Sequence, residues 1–200
     1  FGDDTVAFEA LKAGEIDFRR EFSSRVWATG YDTPAVKSGK MVKETVTLEN
    51  SAGMQGFVFN LRRPRFNNIH VREALNWAYD FEWTKKNLFY GQYARTGSFF
   101  QGSELSARGA PSAGELALLT PLRDKLPAKT FDPLFENPVT DASGNIRQNL
   151  RKARALFEKA GWTIKDGKLQ KDGVTFTIEF LLVQPAFERI VAPYIKNLAK

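Results

Sequence analysis

The 200-residue chain is predicted to fold as a mixed α/β lobe, because two kinds of apolar periodicity alternate along it. Apolar residues recur at helical spacing over residues 69–78, 147–160 and 187–198. Over residues 174–180, apolar and polar residues alternate one by one, which is typical of a half-buried strand. A hydrophobic content of 42% is enough to build a core. We therefore expect residues 1–200 to form a single lobe.

The predicted helices are bounded by residues that favour helix ends. Asn68 precedes the helix over residues 69–78 as a capping residue, and Gly161 closes the helix over residues 147–160 in a left-handed conformation. Pro185 suits the first turn of the last helix. Two shorter helices are predicted over residues 5–12 and 82–90.

Three further segments have the pattern of β-structure. Residues 41–48 and 54–60 are rich in Val, Thr and Phe, which predicts a strand in each. Asp166-Gly167 and Asp172-Gly173 are tight-turn dipeptides, so a hairpin is expected to lead into the strand over residues 174–180.

Composition excludes several kinds of site. The chain has no cysteine, which excludes disulfides, thiolate zinc sites and a cysteine nucleophile. It has no apolar run of about 18 residues, so no membrane-spanning helix is expected. The net charge of +6 and the pI near 9.5 permit contact with nucleic acid or anionic membranes without requiring it.

Three stretches resemble segments of the oligopeptide-type (family 5) solute-binding proteins of ABC importers. They are EALKAGEIDF (Glu9 to Phe18), GMQGFVFNLRRPRFNNIHVREALNWAYDFEW (Gly53 to Trp83) and NLRKARALFEKAGW (Asn149 to Trp162). The segments WATGYDTPAV and SELSARGAP are similar to the YejA-type subgroup in particular. The resemblance covers the chain from about Thr5 to Lys200.

This resemblance implies one lobe of a two-lobed, periplasmic-binding-protein-like fold that closes on its ligand. It implies a peptide ligand, delivery to an ABC permease in the inner membrane, a periplasmic location and no catalysis. No cofactor, metal or nucleic-acid partner is expected, and the protein is expected to be monomeric. Both ends of the chain read as cuts, so we expect the signal peptide, the amino-terminal lobe and a ligand-contacting segment after Lys200 to lie outside it.

The first candidate site is a loop that combines a cation, hydroxyls and aromatic rings. Arg95, Ser98 and Phe99 lie in a glycine-containing stretch of the kind that often carries binding residues. The resemblance favours a cleft-lining role for this loop. The alternative is an ordinary surface loop with buried phenylalanines.

Two more segments are candidates for ligand contact. Gln184 and Arg189 flank a predicted strand-to-helix turn whose free backbone N–H groups favour a carboxylate. The alternative is a plain capping turn with a solvated arginine. Met54, Gln55 and Gly56 precede a predicted strand and, by resemblance, lie near the hinge; simple strand packing is the alternative.

Other constellations are weaker. The basic residues Arg62, Arg63 and Arg65 are expected to form a solvated turn rather than a nucleic-acid or lipid site. His70 and Glu73 share a helical face, but one histidine with one carboxylate makes a surface histidine the better interpretation than a metal site. A hydrolase remains a rival hypothesis, although no carboxylate spacing favours it.

Overall fold

The structure is a computed structural model that describes residues 1–47, 51, 53–132 and 135–200. These residues form both helices and strands, with one small sheet between the seventh and the eighth α-helix, which confirms the mixed α/β prediction. The helices are α1 (Asp4–Ala13), α2 (Ser24–Thr29), α3 (Pro34–Lys37), α4 (Ile69–Trp77), α5 (Phe81–Asn87), α6 (Ala113–Leu119), α7 (Arg147–Lys159) and α8 (Glu188–Leu198). The strands are β1 (Thr163–Lys165), β2 (Lys168–Lys171) and β3 (Val174–Thr175). Short 3₁₀ turns include Pro64–Phe66 and Pro185–Phe187.

The main core lies between α4 and α7. Val71 and Leu75 of α4 are fully buried in one cluster with Phe157 of α7 and Trp162 just after it. Phe176 closes this cluster with edge-on contacts, its ring centroid 5.3 Å from that of Phe157 and 4.8 Å from that of Trp162. Each such aliphatic or aromatic side chain contributes about 1.5–3 kcal/mol through burial. The packed pair α4 and α7 therefore forms the main hydrophobic core of the described residues.

The helix ends follow the sequence closely, with one exception. The Asn68 side chain accepts a hydrogen bond from the His70 N–H at 2.8 Å, and Gly161 has φ 83°, as predicted. The helix predicted over residues 82–90 ends early, at Asn87. Tyr90 has φ 55°, a left-handed conformation that an α-helix cannot contain.

Residues 163–175 form the predicted hairpin as an antiparallel β1-β2-β3 meander. Both turns have two consecutive residues with positive φ, 50° and 72° at Asp166 and Gly167, and 51° and 78° at Asp172 and Gly173. This is the backbone twist that Asp-Gly supplies in tight hairpin turns. The dipeptides thus fix the meander locally.

The other strand predictions are wrong in part. Residues 41–47 and 54–60 form no strand, and β3 ends at Thr175 rather than continuing to residue 180; Leu48 lies outside the described residues. A strand needs backbone hydrogen bonds to a neighbouring segment, and in the described residues the one such bond that continues the sheet past β3 runs from the Phe176 N–H to the Leu169 carbonyl, at 2.7 Å. Apolar alternation survives nevertheless, because Phe176, Ile178 and Phe180 are half-buried while Thr177 and Glu179 are exposed.

A second cluster in the N-terminal part of the chain is held by polar contacts as well as apolar ones. Phe8 packs edge-on against Tyr31, with ring centroids 5.0 Å apart. The nearly buried Glu21 carboxylate accepts hydrogen bonds from Arg19 and from the Tyr31 hydroxyl, both at 3.3 Å. Burial raises the pKa of Tyr31, so its hydroxyl remains a donor. The Tyr93 hydroxyl accepts from the backbone N–H of α2 and so joins this cluster to the segment after α5.

Candidate ligand-binding site

Arg95 is held from inside the lobe. Its guanidinium donates to the carbonyl of Pro138 and to the side-chain oxygen of Asn76, each at 2.6 Å. It also lies 5.7 Å from the ring centroids of both Tyr79 and Phe81. Burial lowers the pKa of Arg95, an effect that the nearby acidic groups oppose. The structure therefore places Arg95 as a clamp between α4 and the loop before α7, with its cation turned inward.

The side-chain amides of Asn76 and Asn137 connect this clamp to Thr96, the residue that follows Arg95. The side-chain amide of Asn137 donates to the carbonyl of Thr96 at 3.0 Å, and Asn76 donates to the Asn137 side-chain oxygen at 3.3 Å. Sequence reasoning singled out neither asparagine as a site residue, although Asn76 lies in the stretch Gly53 to Trp83, because their contacts span 41 and 61 positions. The start of the candidate loop is thus fixed to α4.

Two carboxylates hold the loop before α7 through Thr140. Asp80 caps α5 by accepting from the N–H of Trp83 at 3.0 Å, and its Oδ1 atom also accepts from the Thr140 hydroxyl at 2.6 Å. Glu82 accepts from the backbone N–H of Thr140 at 3.0 Å. Among the described residues, Asp80 Oδ2 is buried with no hydrogen-bond partner. Sequence reasoning did not single out Asp80, although an aspartate before a helical segment is a capping signal; its link to Thr140 has no sequence signal.

The tip of the candidate loop is a turn that presents aromatic rings to solvent. Ser98 Oγ accepts from the N–H of Phe100 at 3.1 Å, and the Gln101 side chain accepts from the N–H of Gly97 at 3.2 Å. Phe99 is 78% exposed. The predicted loop residues therefore have two different environments: Arg95 is hydrogen-bonded inside the protein, whereas Phe99 is exposed to solvent.

The turn before α8 borders a surface concavity of about 370 Å³. Arg189 lines it and donates to the carbonyl of Leu88 at 3.0 Å, whereas Gln184, just before the lining residue Pro185, is exposed. The facing wall is formed by α2, which contributes Arg25. Sequence reasoning did not single out Arg25, which lies 164 positions from Arg189. The lining of the concavity thus carries two arginines, Arg25 and Arg189, together with one carboxylate residue, Glu188.

Met54, Gln55 and Gly56 lie on an open surface. All three are exposed, and a Cβ atom added at Gly56 would meet no atom within 4 Å. No hydrogen bond among the described residues links this segment to the Phe99 turn or to the Arg189 concavity. The three residues are therefore surface positions without a hydrogen-bonded connection to the other two candidate groups.

The basic cluster is less exposed than predicted. Arg62 and Arg63 are exposed, as expected, but Arg65 is half-buried and donates to the Thr177 hydroxyl at 2.6 Å. Arg63 pairs with Glu179 at 3.2 Å. These arginines tie the turn after residue 60 to the segment after β3, so two of the three cations are used within the lobe.

The His70–Glu73 pair belongs to a local ion-pair group. Glu73 lies 3.4 Å from the His70 ring and 2.6 Å from the Lys129 ammonium. The hydrogen bond from Lys129 is the main reason that the pKa of Glu73 is lowered. Within the described ranges, no three His, Cys, Asp or Glu side chains are grouped as metal ligands. No helix in those ranges is long and apolar enough to cross a membrane.

Comparison with known proteins places these features in a family. The family described as bacterial extracellular solute-binding proteins, family 5 Middle, matches residues 1–200. The chain is 43% identical to a probable peptide-binding protein YejA of Agrobacterium fabrum, over 100% of the chain and 33% of that relative. It is 38% identical to an uncharacterized protein YejA of Escherichia coli, over 99% of the chain and 33% of the relative.

A further relative is a peptidoglycan-binding protein YepA of Agrobacterium fabrum, 37% identical over 97% of the chain and 33% of that protein. The chain thus spans 33% of the length of these three relatives. The match over the whole chain, the mixed α/β architecture and the relatives' identities agree. The chain belongs to the family 5 bacterial extracellular solute-binding proteins, which have the two-lobed periplasmic binding protein fold.

Proposed function

We propose that this chain is part of the C-terminal-side lobe of a longer solute-binding protein that captures peptides in the periplasm and delivers them to an ABC permease in the inner membrane. The observation that carries the proposal is the family match over residues 1–200. The 43% identity to a relative named as a probable peptide-binding protein supports peptide as the ligand. The proposed protein acts as a monomer and performs no chemistry on its ligand.

Two surfaces of the lobe suit the parts of a peptide. A peptide offers apolar side chains, which need exposed aromatic or aliphatic walls, and terminal charges, which need fixed ionic partners. Phe99 is the exposed aromatic group on a turn that Ser98 stabilises. Arg189 and Arg25 line a concavity proposed to take the terminal carboxylate, where the two arginines outnumber the one acidic lining residue, Glu188; Gln184 immediately precedes the lining residue Pro185. Met54, Gln55 and Gly56 are proposed to lie near the hinge.

The clamp geometry changes the role proposed for Arg95. Its guanidinium already donates to Asn76 and Pro138 at 2.6 Å, so its cation is committed to the lobe. Arg95 is therefore a positioning residue that holds the Phe99 turn in place rather than a direct ligand contact. The loop is still proposed to line the binding cleft, but Arg95 is now proposed to position the loop instead of contacting the ligand.

The relatives' names share one ligand chemistry. One is named for peptides and another for peptidoglycan, a polymer that itself carries short peptides. The proposal is therefore made for a peptide moiety, whether free or attached to a peptidoglycan fragment.

A thermal-shift screen of the full-length protein tests this proposal. A ligand at about 100 times its dissociation constant stabilises the folded state by about 2.7 kcal/mol, which shifts the melting temperature measurably. The probes are a mixture of free peptides, a peptidoglycan digest and a mixture of free sugars as the control. A shift with the first or second probe supports the proposal, and the difference between them identifies the source of the peptide. No shift with either, or a shift with sugars alone, contradicts it.

A further inference from the structure

The positive charge of the chain is concentrated in one stretch, from the start of α7 to the end of β2. Residues 147–171 contain eight basic and two acidic side chains, so their net charge is +6, equal to that of the whole chain. The basic residues are Arg147, Arg151, Lys152, Arg154, Lys159, Lys165, Lys168 and Lys171. The rest of the chain is therefore neutral in sum, and the basic pI reflects one local surface.

Six of these cations have no polar partner among the described residues. Arg154 pairs with Glu158 at 2.9 Å, and Lys171 donates to the Ala160 carbonyl at 2.9 Å. The exposed side chains that make no ion pair or hydrogen bond are those of Arg147, Arg151, Lys152, Lys159, Lys165 and Lys168, which we call the α7–β2 cationic surface. Because lysine and arginine are rarely buried unless they are paired, we expect this surface to face water in the full-length protein as well.

Two of the six cations repel each other. Lys165 and Lys168 are directly opposite in the register of β1 and β2, on either side of the Asp166-Gly167 turn. Like charges at directly opposite positions of a sheet are destabilising. An anionic partner near this turn offsets that repulsion.

A groove beside α7 combines cations with an aromatic ring. Trp77, Ala155 and Leu156 line a concavity of about 280 Å³ together with Lys152 and Lys159, and we call it the Trp77 groove. The Lys152 ammonium lies 4.3 Å from the Trp77 ring centroid. A half-buried tryptophan beside lysines suits the boundary between lipid and water, because the indole is amphipathic and an ammonium attracts phosphate.

We propose that the α7–β2 cationic surface docks the full-length protein on a membrane surface that contains anionic phospholipid, with one headgroup phosphate in the Trp77 groove. A cluster of four to eight Lys or Arg residues is the typical signature of binding to anionic lipid. The 13 residues of α7 extend over about 20 Å, enough to meet several headgroups at once. Lysine is depleted in interfaces between proteins, which favours lipid over an acidic protein as the partner. The inference rests on the proposed function for the location of the protein beside a membrane.

Co-sedimentation of the full-length, ligand-free protein with vesicles tests the inference. One set of vesicles is phosphatidylcholine alone, and the other is an equal mixture of phosphatidylcholine and phosphatidylglycerol. We expect binding to the mixed vesicles only, weakened at least about tenfold when salt is raised to about 0.5 M. Equal binding to both sets overturns the inference. So does absence of binding to the mixed vesicles, which would leave an acidic protein surface as the partner.

A triple variant locates the binding on α7. Arg151→Gln, Lys152→Gln and Lys159→Gln are combined in the full-length protein. Each cation near an anionic membrane contributes roughly fivefold to affinity, so we expect the affinity for the mixed vesicles to fall on the order of 100-fold.

The matched control removes the same charge elsewhere. Lys40→Gln, Arg108→Gln and Lys125→Gln are combined, because these cations are also exposed but lie outside residues 147–171. Since charges farther than a Debye length from the membrane are screened, we expect a loss of less than about threefold. Equal losses in the two triple variants would show that net charge alone attracts the lipid, which contradicts a specific surface.

Thermal shifts with peptide separate this inference from the proposed function. We expect the triple variant of α7 to keep the wild-type shift, and loss of that shift would overturn the inference by placing α7 in the ligand site. Lipid binding without any peptide-induced shift supports membrane docking and contradicts peptide capture. A peptide-induced shift without lipid binding does the opposite.

Discussion

Replacing Arg95 by alanine removes the clamp that joins α4 to the loop before α7. The guanidinium makes two short hydrogen bonds, to the Asn76 side chain and to the Pro138 carbonyl. A hydrogen bond from a charged group contributes about 1.5–3 kcal/mol. Because the site is half-buried and its partners regain some water after truncation, we expect the free energy of unfolding to fall by about 2–4 kcal/mol.

Urea denaturation of the full-length protein measures this loss. Arg95→Lys should lose stability as well, since one ammonium cannot reproduce the planar fork that reaches both acceptors. Arg151→Ala, on the exposed face of α7, is the matched control and should change stability by less than about 0.5 kcal/mol. Wild-type stability of Arg95→Ala, together with loss of peptide affinity, would refute the clamp and make Arg95 a direct ligand contact.

A double-mutant cycle with Phe99 then tests how Arg95 affects binding. If Arg95 acts by holding the Phe99 turn, its removal weakens binding mainly when Phe99 is present. We therefore expect the affinity loss of the double alanine variant to be clearly smaller than the sum of the two single losses. Additive losses measured by titration calorimetry would indicate that the two residues act independently.

Three other predictions follow from individual contacts. Tyr194→Phe should lower the free energy of unfolding in urea by about 1–3 kcal/mol, because the buried Tyr194 hydroxyl donates to the Leu75 carbonyl at 2.8 Å; an unchanged midpoint would contradict this. Gly144→Ala should lower the melting temperature, since Gly144 has φ 83° and an added Cβ would lie 3.2 Å from Trp83; equal or higher melting temperature would be the contrary result. The pKa of Glu73 is lowered in the folded state, so the ionised carboxylate stabilises the fold above the ordinary pKa of 4.5, and this contribution is lost as pH falls through the folded pKa. The difference in unfolding free energy between wild type and Glu73→Gln should therefore shrink on acidification. A difference that grows would contradict this.

The parts of the fold that were predictable from sequence are those determined locally. The amphipathic pattern of α4 and α7 identifies both the helices and their buried faces, and each Asp-Gly turn defines its own backbone conformation. A strand differs in that its existence depends on a distant backbone. Residues 54–60 have a strand sequence but no paired neighbour among the described residues, so pattern alone predicted more β-structure than forms.

The candidate site was predictable as a region but not in its internal arrangement. The loop containing Arg95 and Phe99 has residue types typical of a binding loop. That Arg95 turns inward depends on Asn76 and Pro138, which lie 19 and 43 positions away. Such contacts arise from tertiary packing, and a single sequence has no local signal for them.

Titration calorimetry with one peptide against both the full-length protein and the 200-residue chain tests the central claim most directly. In the proposed function the ligand is buried between two lobes, and this chain supplies one wall of the pocket. Because association has an entropic cost of several kcal/mol however few contacts follow, the chain alone should bind too weakly to measure. The account predicts micromolar or tighter affinity for the full-length protein and no measurable heat for the chain. Equal affinities would contradict the interlobe site, and no binding by either with any peptide tested would contradict peptide capture.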